Sequence, residues 1–534
     1  MASNEKDVKA LDVTSVPSHD ATITTPPNEK DRVPLNPLLE QYLAMNPADK
    51  AAFDAKLLRR IDWHLIPWMT ILYLMSFLDR VNIGTAKLWN LERDLNLSSQ
   101  QFANVTLVFF VSYVAFEIPS NLVLKKLRPS RYIPATVIIW SLFQIFMGLV
   151  TNYQGLVALR FLLGAAEAGL FPGLNFYLNG WYRREELAKR TSFFFGGAVL
   201  AGAFGGIFGW ALGHMDGIGG KAGWAWIFII EGLITFVCGV LSFWLIYDWP
   251  DRARFLTDME REVVHYRLKA DSGLGTQGKF SWKTVRRGFT DWKTWVFMLN
   301  YLGPAQCIYS QSMFAPSIVA SLGTWTRPQS LLLSVPPYVV AFMTTMGTAY
   351  LSDKMLKRGI FNMFWGTLAV AGYIILMATH NAGAKYFAVF FTTLAIAPMI
   401  SNTIVWTGNN FGSHYKKAVA MGMVFSSGNS GGIWAALAYR SKDAKPTNGQ
   451  VPYLPGHATA MAFAAVNVIT SVILWYGMRR ENRRREREYG PAPGPEEQHN
   501  VDDPAYRAKW GLEGLSRDEI LNLGDDHPAF RFIL

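Results

Sequence analysis

Twelve apolar runs recur between Ile66 and Met478. Each is close to the ~20 residues that carry an α-helix across the hydrocarbon core of a bilayer. They are Ile66–Ala86, Phe102–Leu124, Ile133–Thr151, Gly155–Leu178, Ser192–Gly213, Trp224–Tyr247, Trp295–Ser321, Leu331–Leu351, Phe361–His380, Lys385–Val405, Ala418–Tyr439 and Ala458–Met478. Soluble chains do not string together so many weakly charged runs of this length. In lipid a backbone amide must pair within its own segment, so each run is expected to be a helix. The expected fold class is therefore all-α and polytopic, with twelve transmembrane helices. Composition agrees: 50% of the 534 residues are hydrophobic and 17% charged, against about a quarter charged in soluble proteins. Cys238 and Cys307 both fall inside apolar runs and read as buried thiols rather than a disulfide.

Charge sets an expected orientation and division. Lys125, Lys126, Arg128, Arg131, Arg183, Arg184, Lys189, Arg190, Lys354, Lys357, Arg358, Lys416 and Lys417 all follow even-numbered runs, as does the basic stretch Arg479–Arg487. Loops after odd-numbered runs are poorer in Lys and Arg. The positive-inside rule then places both termini in the cytoplasm. The net charge of +11 follows from that orientation and from anionic leaflet lipid, so no nucleic-acid partner is implied. The sequon Asn96-Leu97-Ser98 falls in the first loop expected outside. Residues 1–60, polar and without a cleavable signal peptide, are expected to be a disordered cytoplasmic tail. The charged stretch 249–294 separates a six-helix bundle at 61–248 from a second at 295–478, and 479–534 forms a cytoplasmic C-terminal tail. Two six-helix halves joined by a middle loop suit a transporter whose halves rock about a central site.

Within the spans, Ala201, Gly205, Gly209 and Gly213, together with Ala418, Gly422, Ser426 and Ser430, recur at steps of four and allow close helix contact. Pro304, Pro316, Pro336 and Pro337 could kink runs seven and eight. The costly residues are the ionisable ones, which are functional candidates by default. Asp79 and Arg80 lie in run one, Glu117 in run two, Arg160 and Glu167 in run four, and Glu231 in run six. The second half has no comparable charge before Asp353, at the end of run eight. Asp79 and Arg80 lie ~20 Å above the inner end of their helix, while Arg160 and Glu167 lie ~8 and ~18 Å below the outer end of theirs. All four therefore share the middle-to-outer band of the membrane. Structural ion pairs Asp79–Arg160 or Arg80–Glu167 are one reading. The other is an anion site: arginine offers planar, permanent donors for a carboxylate. Burial favours the neutral form of an acid and a nearby arginine the charged form, so protonation of the acids would release Arg80 and Arg160 to an arriving anion.

Several motifs resemble a known family. Phe77-Leu78-Asp79-Arg80-Val81-Asn82, Glu117-Ile118-Pro119-Ser120-Asn121, Leu127-Arg128-Pro129-Ser130-Arg131 and Arg160-Phe161-Leu162-Leu163-Gly164-Ala165-Ala166-Glu167-Ala168-Gly169 resemble the anion:cation symporter family of the major facilitator superfamily. Glu231-Gly232, Asp248-Trp249-Pro250 and the terminal Pro528-Ala529-Phe530-Arg531-Phe532-Ile533-Leu534 are similar to its fungal allantoate permease-like branch. The resemblance implies the major facilitator fold and proton-coupled uptake of a small organic anion such as allantoate, nicotinate, pantothenate or biotin, with no cofactor. It implies proton coupling by Asp79 and Glu167 and anion binding by Arg80 and Arg160. Asp353, in Ala349-Tyr350-Leu351-Ser352-Asp353-Lys354, keeps the acid of the superfamily's loop motif; with Glu117, Glu231 and Arg128 it is assigned to gating. Two departures stand out. The first-half copy of the loop motif is degraded, with Lys125 and Lys126 near the expected Asp, and Gly223-Trp224-Ala225-Trp226 has Ala where many relatives carry Arg.

Neutral candidates for substrate contact are Asn82, Gln306, Tyr309, Trp406, Asn409 and Asn429. Asn402, Trp406 and Asn409 are spaced as one helix stripe and could bond or stack with an aromatic acid. Any one of these could equally be glue between helices. No His-rich metal spacing, phosphate loop or nucleophile triad points to an enzyme. The leading expectation is import of an organic anion with protons across the plasma membrane by a monomer. Proton-driven export of a metabolite, toxin or drug on the same fold is the alternative. A nutrient sensor would keep the arginines and show no flux.

Overall fold

The computed structural model describes residues 37–271, 282–323, 325–444, 451–491 and 503–534. Part of the expected N-terminal tail (1–36), of the central loop (272–281) and of the C-terminal tail (492–502) lies outside the described residues. Twelve helical units match the twelve runs: α1 (Pro47–Leu88), α2 (Ser99–Lys126), α3 (Pro129–Met147), α4 (Tyr153–Asn179), α5 (Arg184–Gly213), α6 (Gly223–Leu245), α7 (Trp292–Leu322), α8 (Arg327–Met355), α9 (Arg358–Ala378), α10 (Ala382–Asn409), α11 (His414–Ala438) and α12 (Leu454–Tyr489). There is no strand among the described residues. Local chemistry sets several starts. Ser98 and Gln101 form a capping box at α2, Thr326 and Gln329 another at α8, and Asn152 and Asn381 accept from backbone N–H groups at α4 and α10.

Eight of the units are long and apolar enough to cross a bilayer by length and composition. Polar side chains lower the hydropathy of others, notably the buried Gln306, Ser310 and Gln311 on α7 and the half-buried Ser426, Ser427, Asn429 and Ser430 on α11. Pro304 and Pro316 sit inside α7, which continues through both. The break in α8 falls instead at Ser334, ahead of Pro336 and Pro337.

Each half packs pairwise, α2 on α4 and α3 on α6 in the first, α7 on α11 and α9 on α12 in the second. The halves meet through α1 with α7, α2 with α11 and α5 with α8. Small residues permit the closest approaches. A Cβ on Gly84 of α1 would lie 1.6 Å from the Met313 carbonyl oxygen of α7, so only glycine fits there.

Alternation of the helices puts both described ends of the chain on one face, here the terminal face. Two features of this face go beyond simple tails. Helix α1 begins at Pro47, far below its apolar run, and is pinned by Arg190 to Asp62 at 2.5 Å and by Arg60 to Glu260 at 3.0 Å. Helix α12 continues past the membrane to Tyr489, and residues 517–534 fold back against the second half. Asn410 donates to the Ile533 carbonyl (3.0 Å) and accepts from its N–H (2.9 Å). Asn482 treats Phe532 the same way, at 2.8 and 2.9 Å. The buried Asp525 takes Lys416 at 2.8 Å and Lys293 at 3.1 Å. Burial works against ionisation of Asp291, ahead of α7, but Lys293 and Lys416 hold its carboxyl below the usual carboxylate range.

Candidate substrate and proton site

Halfway along α1, Tyr73, Phe77 and Arg80 follow at steps of four and three and so share one helix face. That face looks onto a cavity between the halves. Its other walls are Tyr113, Phe171, Ala198 and Val199 from the first half and Tyr301, Tyr309, Ile400, Phe425 and Asn429 from the second. Arg80 is the cation in this wall and is 3% exposed. Its Nη2 donates to Glu167 Oε1 at 2.6 Å and its Nη1 to the Tyr309 hydroxyl at 3.0 Å. Its guanidinium carbon lies 4.7 Å from the centre of the Tyr113 ring, a geometry in which the ring face attracts the cation. Ser76 also donates to Glu167 Oε1, at 2.5 Å.

From Arg80 a chain of side chains crosses to the other half and returns. The Tyr309 hydroxyl on α7 donates to Asn429 Oδ1 on α11 at 3.1 Å. Asn429 Nδ2 donates to Glu117 Oε2 on α2 at 3.1 Å. Four helices are thus linked by residues the sequence placed in different roles.

A second polar layer lies beyond, toward the face opposite the termini. Arg160 Nη2 donates to Asn82 Oδ1 at 3.3 Å, and Asn82 Nδ2 donates to Glu231 Oε2 at 3.0 Å. Asp79 Oδ2 accepts from Trp140 Nε1 at 3.2 Å and Thr235 Oγ1 at 3.0 Å. Of the two structural ion pairs weighed from the sequence, Arg80–Glu167 forms, whereas Asp79–Arg160 is not among the ion pairs of the described residues. Arg160 does not line the cavity. Asp79 Oδ1, Glu167 Oε2, Arg80 Nε and Arg160 Nε are buried without a hydrogen-bond partner among the described residues. This cluster therefore has capacity in reserve.

Other expected residues lie elsewhere. Gln306 is buried on α7 and bonds Ser310 at 3.0 Å, outside the cavity wall. The Asn402–Trp406–Asn409 stripe does not face the cavity. Asn402 Nδ2 bonds the Arg358 carbonyl at 2.7 Å, Trp406 Nε1 bonds the Ile533 carbonyl at 2.8 Å, and Asn409 is half-buried at the end of α10. The C-terminal segment covers this end of α10 and takes its donors. Asp353 is half-exposed at the terminal face and paired with Arg358; Arg128 is exposed ahead of α3. Sequence reading missed Ser76, Tyr113, Trp140 and Thr235. Ser76 was recoverable, since it lies four residues before Arg80 on α1.

The cavity measures about 30 Å³, room for a water or two rather than for an organic anion. Below it, Phe171 and Phe425 meet edge to face with centroids 5.3 Å apart. Above it the opposite face is shut. Ser441 bonds Glu92, Lys442 N donates to Ser99 Oγ at 3.2 Å, and Arg327 Nη2 donates to Asn90 Oδ1 at 2.9 Å, all between halves. The structure is closed around its centre, and binding needs the halves to part.

Known proteins place this architecture. The family model described as Major Facilitator Superfamily matches residues 69–436. The chain belongs to the Major Facilitator Superfamily. Fungal superfamily members are similar along most of its length. An uncharacterized transporter of Schizosaccharomyces pombe is 37% identical, covering 81% of this chain and 85% of its own. The MFS-type transporter cnsO of Penicillium expansum is 32% identical over 93% of each. Among solved structures, a bacterial homolog of the human lysosomal transporter Spinster, inward-facing and unoccupied, superposes with a TM-score of 0.59 at 16% identity, covering 78% of this chain and 96% of that one. The xylose transporter XylE of E. coli, partially occluded and inward open, gives 0.55 at 12% identity, covering 78% and 98%. These two likenesses concern the fold alone. The protein is thus a multi-pass membrane transporter of this superfamily.

Proposed function

We propose that the protein imports a small organic anion, a carboxylate of the vitamin-like or allantoate-like kind, by proton symport with alternating access. The reading places the terminal face in the cytoplasm, on the strength of its Lys and Arg excess, and the protein in the plasma membrane as a monomer. It belongs on this view to the anion:cation symporter family. The observation that carries it is Arg80, a cavity-wall guanidinium held by Glu167 and ringed by Phe77, Tyr113 and Tyr309. Such a site offers a carboxylate two parallel donors and an aromatic surround.

The proton enters through charge balance. Asp79, Glu117, Glu167 and Glu231 are buried, with Arg80 and Arg160 the cations among them in the described residues. With all six ionised the cluster would carry net negative charge in a medium where each uncompensated charge is costly. Protonation of Glu167 frees Arg80, and the anion's carboxylate takes its place beside the arginine. When the anion leaves toward the cytoplasm, Glu167 loses its proton and returns to Arg80, which resets the empty carrier. Asp79, next along α1, is the second proton carrier. Tyr309 and Asn429 contact the anion, while Asn82 and Arg160 line its approach from outside. Glu117, Glu231, Asp353 and Arg128 belong to the gates.

The test is uptake of labelled nicotinate, pantothenate, biotin, allantoate and short sugar acids by cells lacking their own carriers, at acidic and neutral pH, with and without a protonophore. Accumulation of one acid, faster at low pH and abolished by the protonophore, is expected. Surface-delivered protein that accumulates none of them at any pH overturns the reading.

A further inference from the structure

The lipid-facing side of α12 does not stop where the bilayer does. Ile469, Ile473 and Tyr476 are exposed on one stripe of the helix, at 58, 47 and 63%. The same stripe runs on through Arg480, Arg483 and Arg487, all exposed. These arginines, with Trp475, Tyr476 and Arg479, line a concavity of about 290 Å³. An apolar face that turns basic through an aromatic pair matches a phospholipid from tail to headgroup.

The neighbouring arginines are spoken for. Arg484 pairs with Glu481 at 2.7 Å and Glu488 at 3.0 Å, and Arg485 pairs with Glu481 at 2.8 Å and bonds the His527 and Phe530 carbonyls. Arg479 stacks on Trp475 at 4.7 Å. Arg480, Arg483 and Arg487 have no carboxylate within 4.0 Å among the described residues, although Glu486 and Glu488 lie on the same stretch of helix. Three exposed guanidiniums thus lie together without acids, with a single bond from Arg487 Nε to the Arg483 carbonyl at 3.3 Å among the described residues.

We infer that this concavity binds the phosphate-bearing headgroup of an anionic membrane phospholipid through Arg480, Arg483 and Arg487, with its acyl chains along Ile469, Val472 and Ile473. The inference is independent of which solute the central site carries. It needs only that α12 crosses the membrane. The lipid would anchor the end of the helix that also carries the C-terminal segment.

Native mass spectrometry of the detergent-purified full-length protein tests it, with phosphatidylserine and phosphatidylcholine titrated in turn and soluble glycerophosphoserine as a third arm. The wild-type protein is expected to retain phosphatidylserine in preference to phosphatidylcholine. Arg480→Gln/Arg483→Gln/Arg487→Gln is expected to lose that preference, with affinity for phosphatidylserine lower by on the order of a hundredfold, about fivefold per arginine at an anionic surface. Arg484→Gln should match wild type. Should the triple variant fail to fold, Arg483→Gln alone, at an exposed position, is expected to weaken binding about fivefold. Equal retention of both lipids by wild type overturns the inference, as does equal phosphatidylserine affinity in the folded variants. Glycerophosphoserine binding as tightly as the lipid also overturns it, since the site would then take a soluble anion.

Discussion

Arg80 makes two directed bonds that a lysine could not reproduce together, one to Glu167 and one to Tyr309. Lysine offers a compact point charge in place of a planar fork. Arg80→Lys is therefore expected to reach the surface folded but to bind the anion about tenfold or more weakly, measured by equilibrium binding of the labelled acid. Arg160 stands behind Asn82, outside the cavity wall, so Arg80→Ala should cost more affinity than Arg160→Ala in the same assay. The reverse order would move the anion to the outer layer. Glu167→Gln keeps the shape of the acid and removes its proton chemistry. It should impair proton-driven accumulation more than exchange of labelled for unlabelled substrate, and should flatten the pH dependence of uptake. At this scale the sequence was most readable where a residue type was expensive. Asp79, Arg80, Arg160 and Glu167 stand out as charges in apolar runs, and the structure gathers them in adjoining layers. Trp406 and Asn409 were harder, because spacing reports which residues share a face but not what that face meets. What meets it is the Ile533 carbonyl, 127 residues away along the chain.

The element that sequence reasoning described least well is the C-terminal one. Residues 479–534 read as a cytoplasmic tail, yet residues 517–534 hold the ends of α7, α10, α11 and α12 together through Asp525, Asn410 and Asn482. The signal is distributed over single polar residues, each unremarkable in its own helix, so no local pattern exposes it. Transmembrane spans were legible because lipid imposes length and composition on them, whereas their extensions past the membrane, at Pro47 and Tyr489, answer to no such rule. Truncating the two asparagine side chains would leave backbone groups of the docked segment unsatisfied, at about 1–3 kcal/mol each. Asn410→Ala/Asn482→Ala should therefore raise hydrogen exchange across 517–534 while leaving the spans protected. Docking should also depend on pH. Burial, followed by the nearby Arg485 cation, pushes His527 down from 6.5 to about 4, and its Nδ1 accepts from the Ala529 N–H at 3.1 Å. The docked state thus favours the neutral ring. Its stability contribution is complete above about pH 6.5, declines as pH falls toward 4, and falls no further below that. Hydrogen exchange of this segment should accordingly be faster at pH 5 than at pH 7.5, beyond the intrinsic pH effect. His527→Gln should reduce that difference.

Across the whole molecule, the closed opposite face and the small central cavity describe one state of a carrier that must visit at least two. What holds this state can be named. Gly84 lets the α1 and α7 backbones touch, Glu92 meets Ser441, and the Arg80–Tyr309–Asn429–Glu117 chain ties four helices from both halves. None of these contacts survives separation of the halves at that end, so each contributes only to the state seen here. A methyl at residue 84 would collide with the Met313 carbonyl in this state, but would meet no such obstacle once α1 and α7 part. Overpacking of this sort costs about 1–3 kcal/mol. Because the cost falls on one state, it shifts the population rather than the fold, by about five- to 150-fold toward the form open on that face. The expected consequence is direct. With Cys238 and Cys307 replaced by Ala, Glu92→Cys and Ser441→Cys should be joined efficiently by a short bifunctional thiol reagent, and the joined protein should no longer transport. Adding Gly84→Ala should slow that cross-linking severalfold and raise the reactivity of each introduced thiol toward a water-soluble label. Unchanged cross-linking in a folded Gly84→Ala protein would mean that the α1–α7 approach follows closure of this face instead of setting it. The controlling contact would then have to be sought in the polar chain that runs through Asn429.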